Sequence, residues 1–206
     1  GVRSMGNDLI EGFRFAWNEP SVRGVIILAG GYFAFGFGFM QVFGPLFAKQ
    51  VLEIGNSGFG YMMAVTGVGG VVGTLLLASL NPNRRRGLII IWLLVIFGLL
   101  QVLVSASTYL GSVALVFLVA GLLGLGQSSL FPLINAVLLQ ASPENLRGRV
   151  IGLLSLDRAF ATLGAALGGL LAAAIGPQLA QIVFGVACVL TALGLLAFYP
   201  ALRRID

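Results

Sequence analysis

Read for polarity alone, the chain alternates long apolar runs with short polar breaks. The runs cover residues 24–48, 58–80, 87–107, 110–139, 150–175 and 179–200. Each reaches the roughly 20 residues an α-helix needs to cross a hydrocarbon core of about 30 Å. The breaks carry turn and charge signals: Asn56-Ser57-Gly58, Asn81-Pro82-Asn83 followed by Arg84, Arg85 and Arg86, the Ser107-Thr108 junction, Ser142-Pro143-Glu144, and Gly176-Pro177. Connections this short predict antiparallel neighbours. The pattern therefore predicts an all-α membrane protein of six transmembrane helices. Residues 24–200 are expected to form the bundle and 201–206 a cytoplasmic tail. Residues 1–23 are expected to form a cytoplasmic amphipathic linker, in which Leu9, Ile10, Phe13, Phe15 and Trp17 stand among Asp8, Glu11 and Arg14.

Composition agrees. Hydrophobic residues make up 58% of the chain and charged residues 9%, with a mean hydropathy of +1.02, against roughly 25% charged residues in a soluble domain. Lipid is the expected solvent for most of the chain. The charges that remain are ordered. Arg3, Arg14 and Arg23 precede the first run, Arg84, Arg85 and Arg86 follow the second, Arg147 and Arg149 follow the fourth, and Arg203 and Arg204 follow the sixth. In a six-span chain all of these fall on one side, with only Lys49 in a loop on the other. The positive-inside rule then puts both termini in the cytoplasm.

This ordering also changes how the pI near 10.1 is read. Excess Arg records orientation here, so no nucleic-acid partner is expected. Cys188 is the single cysteine, which excludes an intrachain disulfide, and the chain has no histidine. Most nucleophile and base pairings, and metal or haem ligation by His, are thereby excluded. No phosphate-binding GxxxxGK[ST] loop occurs, and Gly126-Gln127-Ser128-Ser129-Leu130 fails the GxSxG pattern at its last position. Neither an enzyme nor a cofactor is expected. The first 23 residues contain no signal-peptide core and read as an internal linker, which predicts a longer polypeptide.

Within lipid, a polar side chain is costly unless it faces protein or water. The third and sixth spans are the cleanest, with Gln101 in one and Gln181, Cys188 and Thr191 in the other. They are expected at the periphery, with the first, second, fourth and fifth spans central. On the fifth span Leu156, Phe160, Leu163, Leu167 and Leu170 form a bulky stripe suited to lipid. Asp157, Ala161, Gly164 and Gly168 form a small one suited to helix contact, with Arg158, Thr162, Ala165 and Gly169 beside it. Asp157 lies eight residues past Arg149, about 12 Å into the membrane at 1.5 Å per residue. A charge at that depth is a candidate for proton coupling, substrate contact or gating, against a purely structural ion-pair clamp.

The fourth span carries Pro132, with Gln127 and Asn135 as hydrogen-bonding groups for substrate or for neighbouring helices. The first span is dense in glycine and aromatics, with Tyr32 and Gln41 its cavity candidates. In the second, Thr66 is a further cavity candidate, ahead of the packing glycines Gly69 and Gly73.

Three segments resemble motifs of the major facilitator superfamily. Gly73 with Asn81-Pro82-Asn83-Arg84-Arg85-Arg86 is similar to its basic loop motif, without the usual Asp. Ser142-Pro143-Glu144-Asn145-Leu146-Arg147-Gly148-Arg149-Val150 resembles the PExxRGRV loop of the drug- and siderophore-exporting branch. Gly12-Phe13-Arg14-Phe15 resembles the linker that enters the second half in that branch. The resemblance implies the C-terminal half, helices seven to twelve, of a transporter similar to the enterobactin exporter and macrolide efflux families. It implies a half-bundle of two three-helix repeats, a missing N-terminal six-helix half as partner, and a bacterial inner-membrane location. Alternating access would export an amphipathic small molecule against protons, with Asp157 and Arg158 as coupling or gating candidates. The competing expectation is a membrane scaffold or assembly subunit whose small-residue faces bind another membrane protein.

Overall fold

The computed structural model describes residues 17–79, 86–142 and 157–202. Expectations for most of the linker, for Arg84, Arg85, Glu144, Arg147, Arg149 and Leu156, and for Arg203 and Arg204 lie outside the described residues. Six helices are long and apolar enough to cross a membrane: α1 (Pro20–Val51), α2 (Gly55–Ser79), α3 (Arg86–Tyr109), α4 (Val113–Ala141), α5 (Asp157–Ile175) and α6 (Pro177–Phe198). Proline opens α1 and α6, where its missing N–H lacks an intrahelical acceptor anyway. Gly111 and Gly176 make two of the reversals at φ of 65° and 86°, a backbone region that residues with a Cβ rarely adopt. Pro132 leaves α4 continuous.

Apolar burial does not draw helices together in lipid, so their association rests on close packing and hydrogen bonds. The pairings are symmetric: α2 lies along α4, α5 along α1, and α3 along α6. Exchanging the first three helices with the last three maps the α2–α4 contact onto α5–α1 and maps α3–α6 onto itself. This is the relation of two three-helix repeats. Glycines make each contact. A Cβ on Gly69 or Gly73 would meet the backbone of Gly121 or Leu125 in α4, and one on Gly164 would meet the carbonyl of Ala34 in α1. At the centre of symmetry the contact is reciprocal. A Cβ on Gly98 would lie 2.7 Å from the Gly185 carbonyl oxygen, and a Cβ on Gly185 would lie 2.7 Å from that of Gly98.

Beside that crossing the amides of α3 and α6 meet. Gln181 Nε2 donates to Gln101 Oε1 at 2.8 Å, and Gln101 Nε2 reaches Cys188 Sγ at 3.5 Å. Further along the same seam Ser105 Oγ donates to the Gln178 carbonyl at 2.7 Å, and Gln178 Nε2 donates to Thr108 Oγ1 at 2.8 Å. The sequence places α3 and α6 at the periphery, and their outward residues Trp92, Ile96, Leu99, Val183 and Leu190 are indeed exposed apolar side chains. They are not the least packed helices, however. Half of the apolar window of α3 is buried, against 22% in α2 and 17% in α5. The bulky stripe of α5 is open, with Phe160, Leu163, Leu167 and Leu170 all exposed, while Gly164 and Gly168 are buried.

The least regular helix is α1. Beyond Gly31 it winds through three π-helical stretches, Tyr32–Gly36, Phe39–Phe43 and Phe47–Val51. Phe37 N–H bonds to the Tyr32 carbonyl at 3.1 Å and Leu52 N–H to the Phe47 carbonyl at 2.8 Å, each five residues back. The reason is legible in the sequence. Phe35, Phe39, Phe43 and Phe47 recur every fourth residue. An α-helix of 3.6 residues per turn would rotate such a stripe by about 40° at each step. The π stretches undo this drift and keep Phe39, Phe43 and Phe47 all buried, with Phe43 and Phe35 edge-on to Phe184 of α6. At the start of α1, Arg23 stacks over Tyr199 at 5.2 Å and donates to the Trp17 carbonyl at 3.2 Å, which ties the opening of α1 to the end of α6.

Candidate functional site

The same winding governs the outer side of α1. Phe33, Phe37, Gln41 and Pro45 also recur every fourth residue, and they face α5 across a groove. One cleft of about 390 Å³ is lined by Phe33, Phe37, Gln41, Asp157, Arg158, Ala161 and Thr162. A second, of about 400 Å³, is lined by Gln41, Val42, Pro45, Leu46, Gln50, Gly169, Ala172 and Ala173. Gln41 belongs to both, so the two run on from each other along α1 and α5. Each volume lies within the roughly 300–1,000 Å³ of small-molecule sites.

The groove holds polar groups in the midst of apolar helices. Gln41 and Arg158 are exposed and Asp157 is half-buried. The Asp157 carboxylate accepts from the backbone N–H of Arg158, and Thr162 Oγ1 donates to the Arg158 carbonyl at 2.7 Å. Pro45 lacks the N–H that would reach the Gln41 carbonyl in an α-helix, so the backbone beside Gln41 has one donor fewer. Among the described residues no group of three or more His, Cys, Asp or Glu converges on a possible metal site. The chemistry available is hydrogen bonding, charge and aromatic contact.

Of the residues singled out in the sequence, the groove brings together Gln41, Asp157 and Arg158. Tyr32 and Thr66 are placed elsewhere. Tyr32 is 1% exposed, packs edge-on to Phe33 and Phe97, and donates to the backbone carbonyl of Gln127 at 3.3 Å. Thr66 is buried where α2 meets Gly124, and its hydroxyl donates to the Met62 carbonyl at 2.8 Å. Both serve helix contacts rather than the groove wall. Gln127 contributes that backbone carbonyl to the contact with Tyr32. Asn135 bonds within its own helix, Nδ2 to the Phe131 carbonyl at 2.9 Å, instead of across to a neighbour. Arg86 opens α3. Phe33, Phe37, Pro45, Gln50 and Thr162 are groove residues that polarity alone did not single out. The four-residue repeat of Phe33, Phe37, Gln41 and Pro45 is the signal that finds the three on α1 that belong to it; Gln50, off that register, and Thr162, on α5, carry no such signal.

Six apolar helices in two triplets, with an open groove along two of them, define a membrane-spanning bundle of two three-helix repeats. The chain belongs to the Major Facilitator Superfamily, whose family model matches residues 29–205. It is 27% identical over 201 residues to the multidrug efflux pump Tap of Mycolicibacterium fortuitum, covering 96% of this chain and 47% of that protein. It is 28% identical over 203 residues to the multidrug efflux pump Tap of Mycobacterium tuberculosis, covering 96% of this chain and 46% of that protein. The chain thus spans about half the length of the curated relatives it matches. Membership in a family of transporters sets it apart from enzymes.

Proposed function

We propose that this chain is the C-terminal six-helix bundle of a proton-coupled exporter of amphipathic small molecules. It works by alternating access with a second six-helix bundle. The observation that carries the reading is the groove between α1 and α5, where Gln41, Asp157 and Arg158 meet Phe33 and Phe37 in an otherwise apolar bundle. Mixed polar and aromatic lining suits a molecule with one charged or polar end and an apolar body. The names of the curated relatives, multidrug efflux pumps of about twice this length, support both export and the second bundle. They also favour transport over a scaffold.

In this reading residues 1–23 link the two bundles, residues 24–200 form the membrane domain, and the termini face the cytoplasm of a bacterium across its inner membrane. The cytoplasmic loops would carry Arg84, Arg85, Arg86, Glu144, Arg147 and Arg149. Asp157 is the proton-coupling candidate, because it is the carboxylate facing the groove. The test is transport by the full-length protein in proteoliposomes under an imposed pH gradient, with a panel of amphipathic dyes. Gradient-driven efflux that Asp157→Asn abolishes is the expected result. Undiminished efflux by that variant would remove Asp157 from the coupling mechanism.

A further inference from the structure

The two clefts of the groove differ in chemistry. The first offers a carboxylate, a guanidinium, the Thr162 hydroxyl and the Gln41 amide beside the rings of Phe33 and Phe37. The second is walled by Val42, Pro45, Leu46, Gly169, Ala172 and Ala173, with Gln50 as its polar side chain besides the shared Gln41. From Asp157 to Ala173 the groove follows α5 for about 24 Å at 1.5 Å per residue. Resting on the export reading, we propose that a single amphipathic molecule lies lengthwise in this groove. Its polar head sits against Asp157, Arg158 and Thr162, and its apolar tail lies over Val42, Pro45 and Gly169. Gln41 is the specificity-determining residue between the two subsites.

Two local features support the assignment. Gln41 is the side chain common to both clefts, so its bulk sets the width of the passage between them, and its amide can satisfy a polar group at the boundary of the head. Gly169 leaves the second cleft open. A Cβ built there meets nothing within 4 Å, in contrast to Gly164 five residues earlier, on the face turned toward α1, whose Cβ would strike Ala34. A side chain added at Gly169 therefore fills the tail subsite without forcing the helices apart. The head subsite lies toward the Asp157 end and the tail subsite toward Gln50, which gives the bound molecule a fixed direction along the groove.

The experiment uses the full-length transporter in proteoliposomes and a set of rhodamine esters from methyl to hexyl, which vary the tail at a constant head. Gly169→Leu is expected to lower the ratio of hexyl to methyl ester transport by at least about tenfold, the discrimination that lost apolar contacts give. Gln41→Ala, by widening the passage, is expected to raise that ratio. Ala166→Leu, exposed on α5 but outside both clefts, is expected to leave it unchanged. If Gly169→Leu lowers both esters by the same factor, the position is a helix contact and the tail subsite is refuted. A ratio that none of the variants moves would refute the assignment equally. Failure of the unaltered protein to move any ester would overturn the export reading, and this inference with it.

Discussion

The substitution Gly185→Ala adds one methyl group at the crossing of α3 and α6. That carbon would lie 2.7 Å from the Gly98 carbonyl oxygen, 2.8 Å from Val102 Cγ2 and 3.0 Å from the Val102 backbone nitrogen. Two of these three neighbours are backbone atoms, which no rotamer change can move, so the helices must part. Overpacking of this kind costs about 1–3 kcal/mol. Parting the helices also stretches the Gln181–Gln101 hydrogen bond, of a type worth about 0.6–2 kcal/mol between membrane helices. Helix propensity opposes this, since Ala is favoured over Gly by roughly 0.5–1 kcal/mol within a helix. The net expectation is a loss of about 1–4 kcal/mol. In a protein of about twice this length, as the curated relatives are, that amounts to an apparent melting temperature lower by roughly 1–5 °C. The assay is thermal unfolding of the full-length protein in detergent, followed by fluorescence-detected gel filtration. Gly194→Ala, on the same helix with nothing within 4 Å of its Cβ, is the control and is expected to hold or slightly raise the melting temperature. Equal behaviour of the two variants would refute the close-crossing argument.

Replacing Gln101 alone by Leu leaves the buried Gln181 amide without its acceptor and is expected to cost about 1–3 kcal/mol, while Gln101→Leu with Gln181→Leu is expected to be closer to neutral. Thermal unfolding of the two single variants and the double variant checks this as a double-mutant cycle, and strict additivity would count against the pair. Gly164→Ala sets a methyl group on the Ala34 carbonyl and is expected to destabilise the α5–α1 contact by about 1–3 kcal/mol. A disulfide trapped between cysteines placed in α1 and α5 should form more slowly in that variant.

The fold was legible because lipid imposes a coarse and strict rule: each crossing needs a long apolar run. The six runs, their breaks and the small-residue face of α5 follow from that rule. The roles of individual polar residues do not, because a hydroxyl on an apolar helix has the same sequence signature whether it lines a cavity or bonds a backbone carbonyl. Tyr32 finds its acceptor at Gln127, 95 residues away. Thr66 turns back on Met62, in its own helix. Polarity therefore marked both as cavity residues, and only the packing separates them from Gln41. Periodicity carried more information than polarity along α1, where the fourth-residue repeat specifies the buried Phe stripe and the groove stripe together. The α3–α6 seam hid behind hydropathy, since two glutamines and two glycines in apolar runs do not reveal that they face each other.

The reciprocal contact of Gly98 and Gly185 bears on how such a molecule can change over generations. Each glycine makes room for the backbone of the other, so neither repeat can acquire a side chain at that point without a compensating shift in its counterpart. On the groove helix α5 there is no such bond of mutual permission at Gly169, where an added Cβ meets nothing within 4 Å. Side chains can thus change at that point of the groove wall without a counterpart, while a change at the crossing on the dyad must be matched in both repeats.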